Sequence, residues 1–326
     1  MFNGYINLTD ALILLEKIRK GYLKRILSRL GKSRTGKIQE AWKPFETPVR
    51  FWLDIPYVQR RNNRMQSGNP DHDIYRYVAD TYLSGKKDLV ALSLCCGTGE
   101  HEKKWAATGA FKRIHAIDLS PNCIQEAIAS VNGKSFEHVL DFKRSDVWDI
   151  KASESEYDVI FSLSAFHHIT PLHQFICNVK KWLKPGGLLI VWDFFGPTRF
   201  QWTNRQLEVI SGILSILPES YRKQWNSGTI KRKAYRPGKL MMILNDPSEA
   251  VESSKIRPLL ESEFTIVEEK PLAGTILQLL LDDIALNFLK EDELTKRYLD
   301  FCFIAEDLFL EEINQQSDLV FGVYTK

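Results

Sequence analysis

The sequence has few cysteines and none in paired metal-binding spacing. Cys95, Cys96, Cys123, Cys177 and Cys302 are scattered through 326 residues without a C-x-x-C motif. That excludes a disulfide scaffold or zinc ribbon and leads us to expect a reducing, cytoplasmic setting. His72, His101, His115, His138 and His173 share no ligand spacing, so no metal is expected. There is no run of about 18 apolar residues, hence no expected transmembrane span. The first residues lack the basic start, apolar core and small-residue cleavage site of a secretion signal. Internal repeats and low-complexity tracts are also absent. Net charge is only +3, too balanced for a chain built around nucleic acid. The charge is uneven, however, with 14 Lys/Arg against 5 Asp/Glu in residues 1–64. The composition, 44% hydrophobic and 26% charged, is that of a globular protein, longer than one minimal domain.

What is present is an apolar run that ends in glycines, Ala91-Leu92-Ser93-Leu94-Cys95-Cys96-Gly97-Thr98-Gly99-Glu100. A strand feeding a glycine turn and then a helix start brings bare backbone close to a ligand. A dinucleotide fold would place a third glycine where Glu102 stands, and a P-loop would need G-K-[ST]; neither pattern is met. S-adenosylmethionine, which has no phosphate, is the remaining common ligand. Arg113–Asp118 reads as a second strand, and Asp118 lies 19 residues past Gly99, where a carboxylate can accept from both ribose hydroxyls. A helix over 121–132 follows, then a strand over 142–147, whose Asp146 can accept from an adenine amino group while Val147 packs on the ring. Tyr157–Leu163 is a fourth strand. It opens into Ser164-Ala165-Phe166-His167-His168, and a helix then leads to Lys184-Pro185-Gly186-Gly187 and a fifth strand over 188–193. Short apolar runs alternating with helical segments indicate a parallel sheet with helices on both faces.

This order resembles the class I S-adenosylmethionine-dependent methyltransferases over roughly residues 89–193. Strand candidates at 264–269 and 319–325 match the family's closing strands, the last antiparallel. The resemblance implies an α/β, Rossmann-like, doubly wound seven-stranded sheet. It implies a cofactor site of Cys95, Cys96, Gly97, Thr98, Gly99, Glu100, Asp118, Leu119, Asp146, Val147, Leu163 and Ser164. Two positions depart from the family pattern: Ser93 stands where an acid is usual, and Cys95 where a glycine is usual. The phrases FWLDIPYVQRR, GPTRFQW and NDPSEAVESSKI are similar to bacterial methyltransferases associated with surface polysaccharide and other glycan pathways.

Around this core (67–197) the chain has additions. Within residues 1–66, the stretch 9–30 reads as a basic amphipathic helix, with Ala11, Leu14, Leu15, Ile18, Tyr22, Ile26 and Leu30 on one stripe. Such a helix suits peripheral contact with an anionic membrane at the inner surface, or packing on its own domain or a homo-oligomer partner. Tyr57, Arg60, Arg61 and Arg64 precede the first strand and are candidates to meet the methionine carboxylate or an anionic substrate. Asp71–Leu83 reads as a helix, and residues 198–254 as a helical substrate cap with a helical candidate over 248–260. Residues 255–326 complete the sheet, with a helical insertion over 274–316 that extends the cap or forms an oligomer contact.

Methyl transfer to an oxygen needs alignment and removal of a proton. His167 and His168, after the fourth strand, and Asp193, at the end of the fifth, are the catalytic candidates. The expected function is O-methylation of a glycan, glycolipid or small polar acceptor. The alternatives are an RNA methyltransferase, prompted by the basic N-terminal segment, and a scaffold without catalysis, prompted by Ser93 and Cys95. No RNA-binding module is recognisable, so nucleic acid is not the expected partner.

Overall fold

The computed structural model describes residues 51–326 apart from Asn226, together with Ser33, Gly36 and Ile38. The helix read over residues 9–30 lies outside the described residues.

The chain enters through a short turn at Trp52–Asp54 and two helices, α1 (Pro56–Ser67) and α2 (Ile74–Tyr82). Pro56 occupies the first turn of α1, where its missing N–H costs nothing, and Gly68 ends the helix in the left-handed region. Asp73 caps α2 by accepting from the Arg76 N–H at 3.0 Å, so this helix begins later than Asp71.

Five strands and three helices build the first part of the sheet: β1 (Leu89–Leu94), α3 (Glu100–Ala107), β2 (Phe111–Asp118), α4 (Pro121–Val131), β3 (Leu140–Arg144), β4 (Tyr157–Leu163), α5 (Leu172–Trp182) and β5 (Leu183–Phe194). β3 stops at Arg144, short of 147, because Asp146 caps a following turn by accepting from the Trp148 N–H. β5 starts five residues before Leu188. The Lys184–Gly187 stretch stays within it as a register shift, opposite Tyr157–Val159 of β4. Additions follow in α6 (Asn204–Ile216), α7 (Glu219–Arg222), α8 (Lys239–Asn245) and α9 (Ile256–Glu263). The chain then closes with β6 (Thr265–Leu272), α10 (Leu277–Leu281), α11 (Glu293–Glu312) and β7 (Leu319–Thr325). The seven strands lie in the order β3-β2-β1-β4-β5-β7-β6, with β7 antiparallel to both neighbours.

Each face of the sheet is buried, as parallel strands require. On one face Trp105 of α3 stacks on Phe161 of β4, with ring centres 4.4 Å apart. Trp52, Trp202, Ile213, Leu277, Phe288 and Leu299 continue that core, so the two insertions and the entry turn share it. On the other face Phe175 and Ile176 of α5 and Ile256 and Leu260 of α9 cover Leu92, Ile160 and Tyr324. A Thr203–Gln206 capping box starts α6. Buried Glu306 of α11 accepts from the backbone N–H groups of Gly274, Ile276 and Leu277 at 2.9–3.0 Å, which pins the second insertion to the end of β6.

The helix expected over 248–260 is instead a run of turns up to Lys255, and α9 starts only at Ile256. The reason is local pinning. The Val251 N–H donates to the His167 carbonyl, Ala250 sits at φ +46°, and Glu252 accepts from the Leu172 N–H at 2.8 Å. Among the described residues, no helix is long and apolar enough to cross a membrane.

Candidate active site

The site lies where β1, β2, β4 and β5 end, at the edge where open α/β sheets bind ligands. Parallel register puts Leu94 beside Ile117 and Ser162, so the loop after β1 lies between the ends of β2 and β4. Asp118 closes that loop. Its Oδ2 accepts from the Gly97 N–H at 2.9 Å and its Oδ1 from the Ser120 N–H at 2.7 Å. A carboxylate offers about four lone-pair positions, so with the Leu119 N–H as a third backbone partner Asp118 keeps capacity for a ribose hydroxyl. Burial raises the pKa of Asp118, opposed by these backbone bonds.

The two glycines serve different ends. Gly97 has φ +54°, and a Cβ built there would meet nothing within 4 Å, so open space stands over the loop. Gly99, at φ +77°, begins α3, and a Cβ there would lie 2.7 Å from the Phe142 ring. Cys95 holds φ +54°, the conformation that a glycine adopts freely and an L-residue reaches at a cost of about 1–2 kcal/mol. Ser164, exposed at the end of β4, is similarly at φ +57°.

An acid does stand beside position 93. Ser93 donates to Oε1 of Glu102 at 2.5 Å, and both residues are buried. Burial pushes the Glu102 carboxyl up to about 7, opposed by the Ser93 bond. Its Oε2 is buried with no hydrogen-bond partner among the described residues. An orphaned acceptor in a carboxylate near Asp118 fits a ligand that carries an ammonium group. The Gly97 opening, the spare capacity of Asp118 and the orphaned Glu102 oxygen together fit S-adenosylmethionine.

The remaining cofactor residues divide. Leu163 is buried at the end of β4, and Cys96 is buried in the loop, where its N–H donates to the Ile117 carbonyl. Thr98 and Leu119 flank the loop and the end of β2, while Asp146 and Val147 follow β3. Glu100 is exposed and pairs with Lys103 on the surface of α3. Tyr57 is not brought to the glycine loop: its hydroxyl donates to Asp300 of α11 at 2.9 Å, and its ring stacks on Phe303. Arg60 and Arg61 pair with Asp71 and Asp307. Arg64 is exposed on the same helix, which packs against β6, the sheet edge farthest from β3.

The catalytic candidates do converge. Asp193 is fully buried. Its Oδ2 accepts from the Ala165 and Phe166 N–H groups at 3.0 and 2.8 Å; its Oδ1 accepts from the Phe194 N–H and bonds the His167 Nδ1. Asp193 is thereby a fully used anchor, which shapes the loop and fixes His167, and it keeps no lone pair for a substrate proton. His167 turns its Nε2 toward Oε1 of Glu249, 3.6 Å away. The His168 ring lies 3.9 Å from that of His167, centre to centre, and its Nδ1 is 3.3 Å from Ser248 Oγ, which in turn bonds Asp246 at 2.6 Å. Burial lowers the pKa of His167, but Asp193 outweighs it and the net shift is upward. Burial and the neighbouring His167 hold His168 well below its ordinary value. Glu249 is pushed up to about 6 by burial. Arg199 clamps the Asp246–Val251 segment over the two histidines, donating to the Pro247 and Glu249 carbonyls at 2.7 and 2.8 Å.

Strand order and loop geometry define a class I S-adenosylmethionine-dependent methyltransferase fold. Residues 92–191 match the family described as "Methyltransferase domain", and this segment belongs to that class. Among curated proteins, the chain is 31% identical over 109 residues to the demethylmenaquinone methyltransferase of Tropheryma whipplei, covering 33% of this chain and 43% of that one. It is 28% identical to the malonyl-[acyl-carrier protein] O-methyltransferase of a Paenibacillus species, over 44% of this chain and 56% of that one. It is 23% identical to the erythromycin 3''-O-methyltransferase of Saccharopolyspora erythraea, over 57% of this chain and 54% of that one. The chain thus spans about half the length of these curated relatives.

The roles of two site residues are invisible in the sequence pattern. Glu249 lies 82 residues beyond His167, with no periodicity to link them. Glu102 sits where a glycine was sought, and the one clue to its role is the missing acid at Ser93.

Proposed function

We propose that this protein transfers a methyl group from S-adenosylmethionine to a hydroxyl oxygen of a small polar acceptor, a glycan or glycolipid being the leading class. When bound, that cofactor supplies a methyl group already activated on a sulfonium sulfur. What remains for the chain is to hold, align and shield. Asp118 and the Gly97 loop hold the nucleoside side, and Glu102 answers the ammonium. On the acceptor side, Asp193 orients His167, and Glu249 faces it from the cap segment. Nε2 of His167 and Oε1 of Glu249 are the two acceptor atoms through which the hydroxyl proton is drawn off. Arg199 keeps the Asp246–Val251 segment in place and water out.

The observation that carries the reading is the closure of the Asp246–Val251 segment over His167 and His168. A segment closed over two histidines suits a discrete acceptor better than an extended polymer. The glycan class draws support from the similarity to the erythromycin 3''-O-methyltransferase, whose 186 matched residues exceed the domain match. The test is transfer from methyl-labelled cofactor to extracted glycans, glycolipids and sugar nucleotides, with an RNA fraction alongside. The expected result is label in a base-stable methyl ether. Cofactor binding without transfer to any hydroxylated fraction, or transfer to RNA alone, would overturn the proposal.

A further inference from the structure

We propose that His167, His168 and Glu249 form a binding site for a divalent transition-metal cation, of the kind that takes two imidazoles and a carboxylate. One potential ligand atom from each residue lies within 4.8 Å of the other two. Nε2 of His167 and Oε1 of Glu249 are 3.6 Å apart, too far for a direct hydrogen bond. Ligands around a tetrahedral ion with bonds of about 2.0–2.1 Å stand roughly 3.3 Å apart, close to this spacing.

The surroundings are those of a metal centre. A ligating histidine almost always donates its other ring N–H to a carboxylate or carbonyl, which fixes the tautomer and turns the remaining nitrogen to the ion. Asp193 does this for His167, and its two bonds to the Ala165 and Phe166 N–H groups lock the loop that carries both histidines. His168 has a comparable relay in Ser248 and Asp246. Three carboxylates, Asp193, Asp246 and Glu249, converge here against a nearby cation, the Arg199 guanidinium, whose charge reaches both His168 and Glu249. Imidazole donors favour zinc, iron or nickel over magnesium or calcium, which prefer oxygen.

Only the purpose of the cation rests on the methyltransferase reading. An open ligand position would hold the acceptor hydroxyl and favour its ionised form, so the His167–Glu249 pair would act through the cation. Binding itself is independent of that reading.

The experiment is titration of chelator-treated full-length protein with Co²⁺, read by visible absorption and metal analysis, beside calorimetry with S-adenosylmethionine. We expect one Co²⁺ per chain with ligand-field bands and no intense thiolate charge-transfer band. Glu249→Gln and His168→Gln should each weaken binding by at least about tenfold while near-ultraviolet circular dichroism shows a retained fold. A second cluster, His173, Cys177 and Glu263, lies apart on α5 and α9. The double variant His173→Ala/Cys177→Ser should therefore leave the signal unchanged. Absence of Co²⁺ binding, equal binding in both first variants, or loss only in the double variant would overturn the inference. Cofactor binding that persists in any of these cases leaves the methyltransferase reading standing, and cofactor failure with intact Co²⁺ binding overturns only that reading.

Discussion

Replacing Asp193 by asparagine should be among the most damaging conservative changes in this chain. The two carboxylate oxygens face donors on both sides: the Ala165 and Phe166 N–H groups at Oδ2, and the Phe194 N–H with the His167 ring at Oδ1. An asparagine has one acceptor oxygen and one NH₂. Turned one way, the amide sets its NH₂ against the Ala165 and Phe166 N–H groups; turned the other, against the Phe194 N–H, with His167 forced into the other tautomer. With one or two orphans at about 1–3 kcal/mol each, the variant should lose at least about 2 kcal/mol. The damage falls on the loop that carries His167 and His168, so cofactor and acceptor handling should suffer with stability. The assay is urea unfolding followed by circular dichroism, with the slope checked for two-state behaviour. A loss below about 1 kcal/mol would refute the view that this carboxylate organises the loop.

The glycine turn gives a paired test. Gly99→Ala puts a Cβ 2.7 Å from the Phe142 ring at φ +77° and should cost at least about 2 kcal/mol of stability. Gly97→Ala meets open space and should cost about 1 kcal/mol from its φ of +54°, yet it should weaken S-adenosylmethionine binding more than Gly99→Ala does at equal folded fraction. Denaturation and calorimetry on the two variants would check the crossed order. Burial raises Glu102 from 4.5 to about 7, so folding favours its protonated form. That favour is fully present below about 4.5 and is lost as pH rises through about 7. Glu102→Gln should therefore match the wild type at low pH and exceed it by up to about 3 kcal/mol above pH 7. Stability curves against pH for the two proteins, subtracted, isolate this group from Asp318, which burial likewise pushes up to about 7. The same Glu102→Gln change should weaken cofactor binding, because it removes the charge of a carboxylate whose Oε2 has no partner among the described residues.

Much of the sheet was legible because strands buried on both faces, whether parallel or antiparallel, read as unbroken apolar runs. The runs at Tyr157–Leu163 and Leu319–Thr325 coincide with strands at both ends. Boundaries drifted where bonds outside the regular helix and strand ladders intervene. Asp146 turns the chain away after β3, and the Val251–His167 bond keeps residues before Ile256 out of a helix. Asp118 could be anticipated because βα geometry fixes its distance from the glycines, and the structure places it against Gly97. Tyr57 could not, since its position before β1 says nothing of the α11 contact made 243 residues later. Asp193 reads as a base by location alone; its four donors become visible only once β5 and the loop after β4 are side by side. Glu249 stayed hidden for the same reason, because a site assembled across chain-distant loops leaves no spacing in the sequence; Glu102, only nine residues past Ser93, stood in view where a glycine was sought.

The most direct test of the account is calorimetric titration of the full chain with S-adenosylmethionine and S-adenosylhomocysteine, repeated on Asp118→Ala. The expected result is one site per chain for both ligands, with affinity reduced at least about tenfold in the variant. No binding of either ligand to the wild type, or binding unaffected by Asp118→Ala, would contradict it.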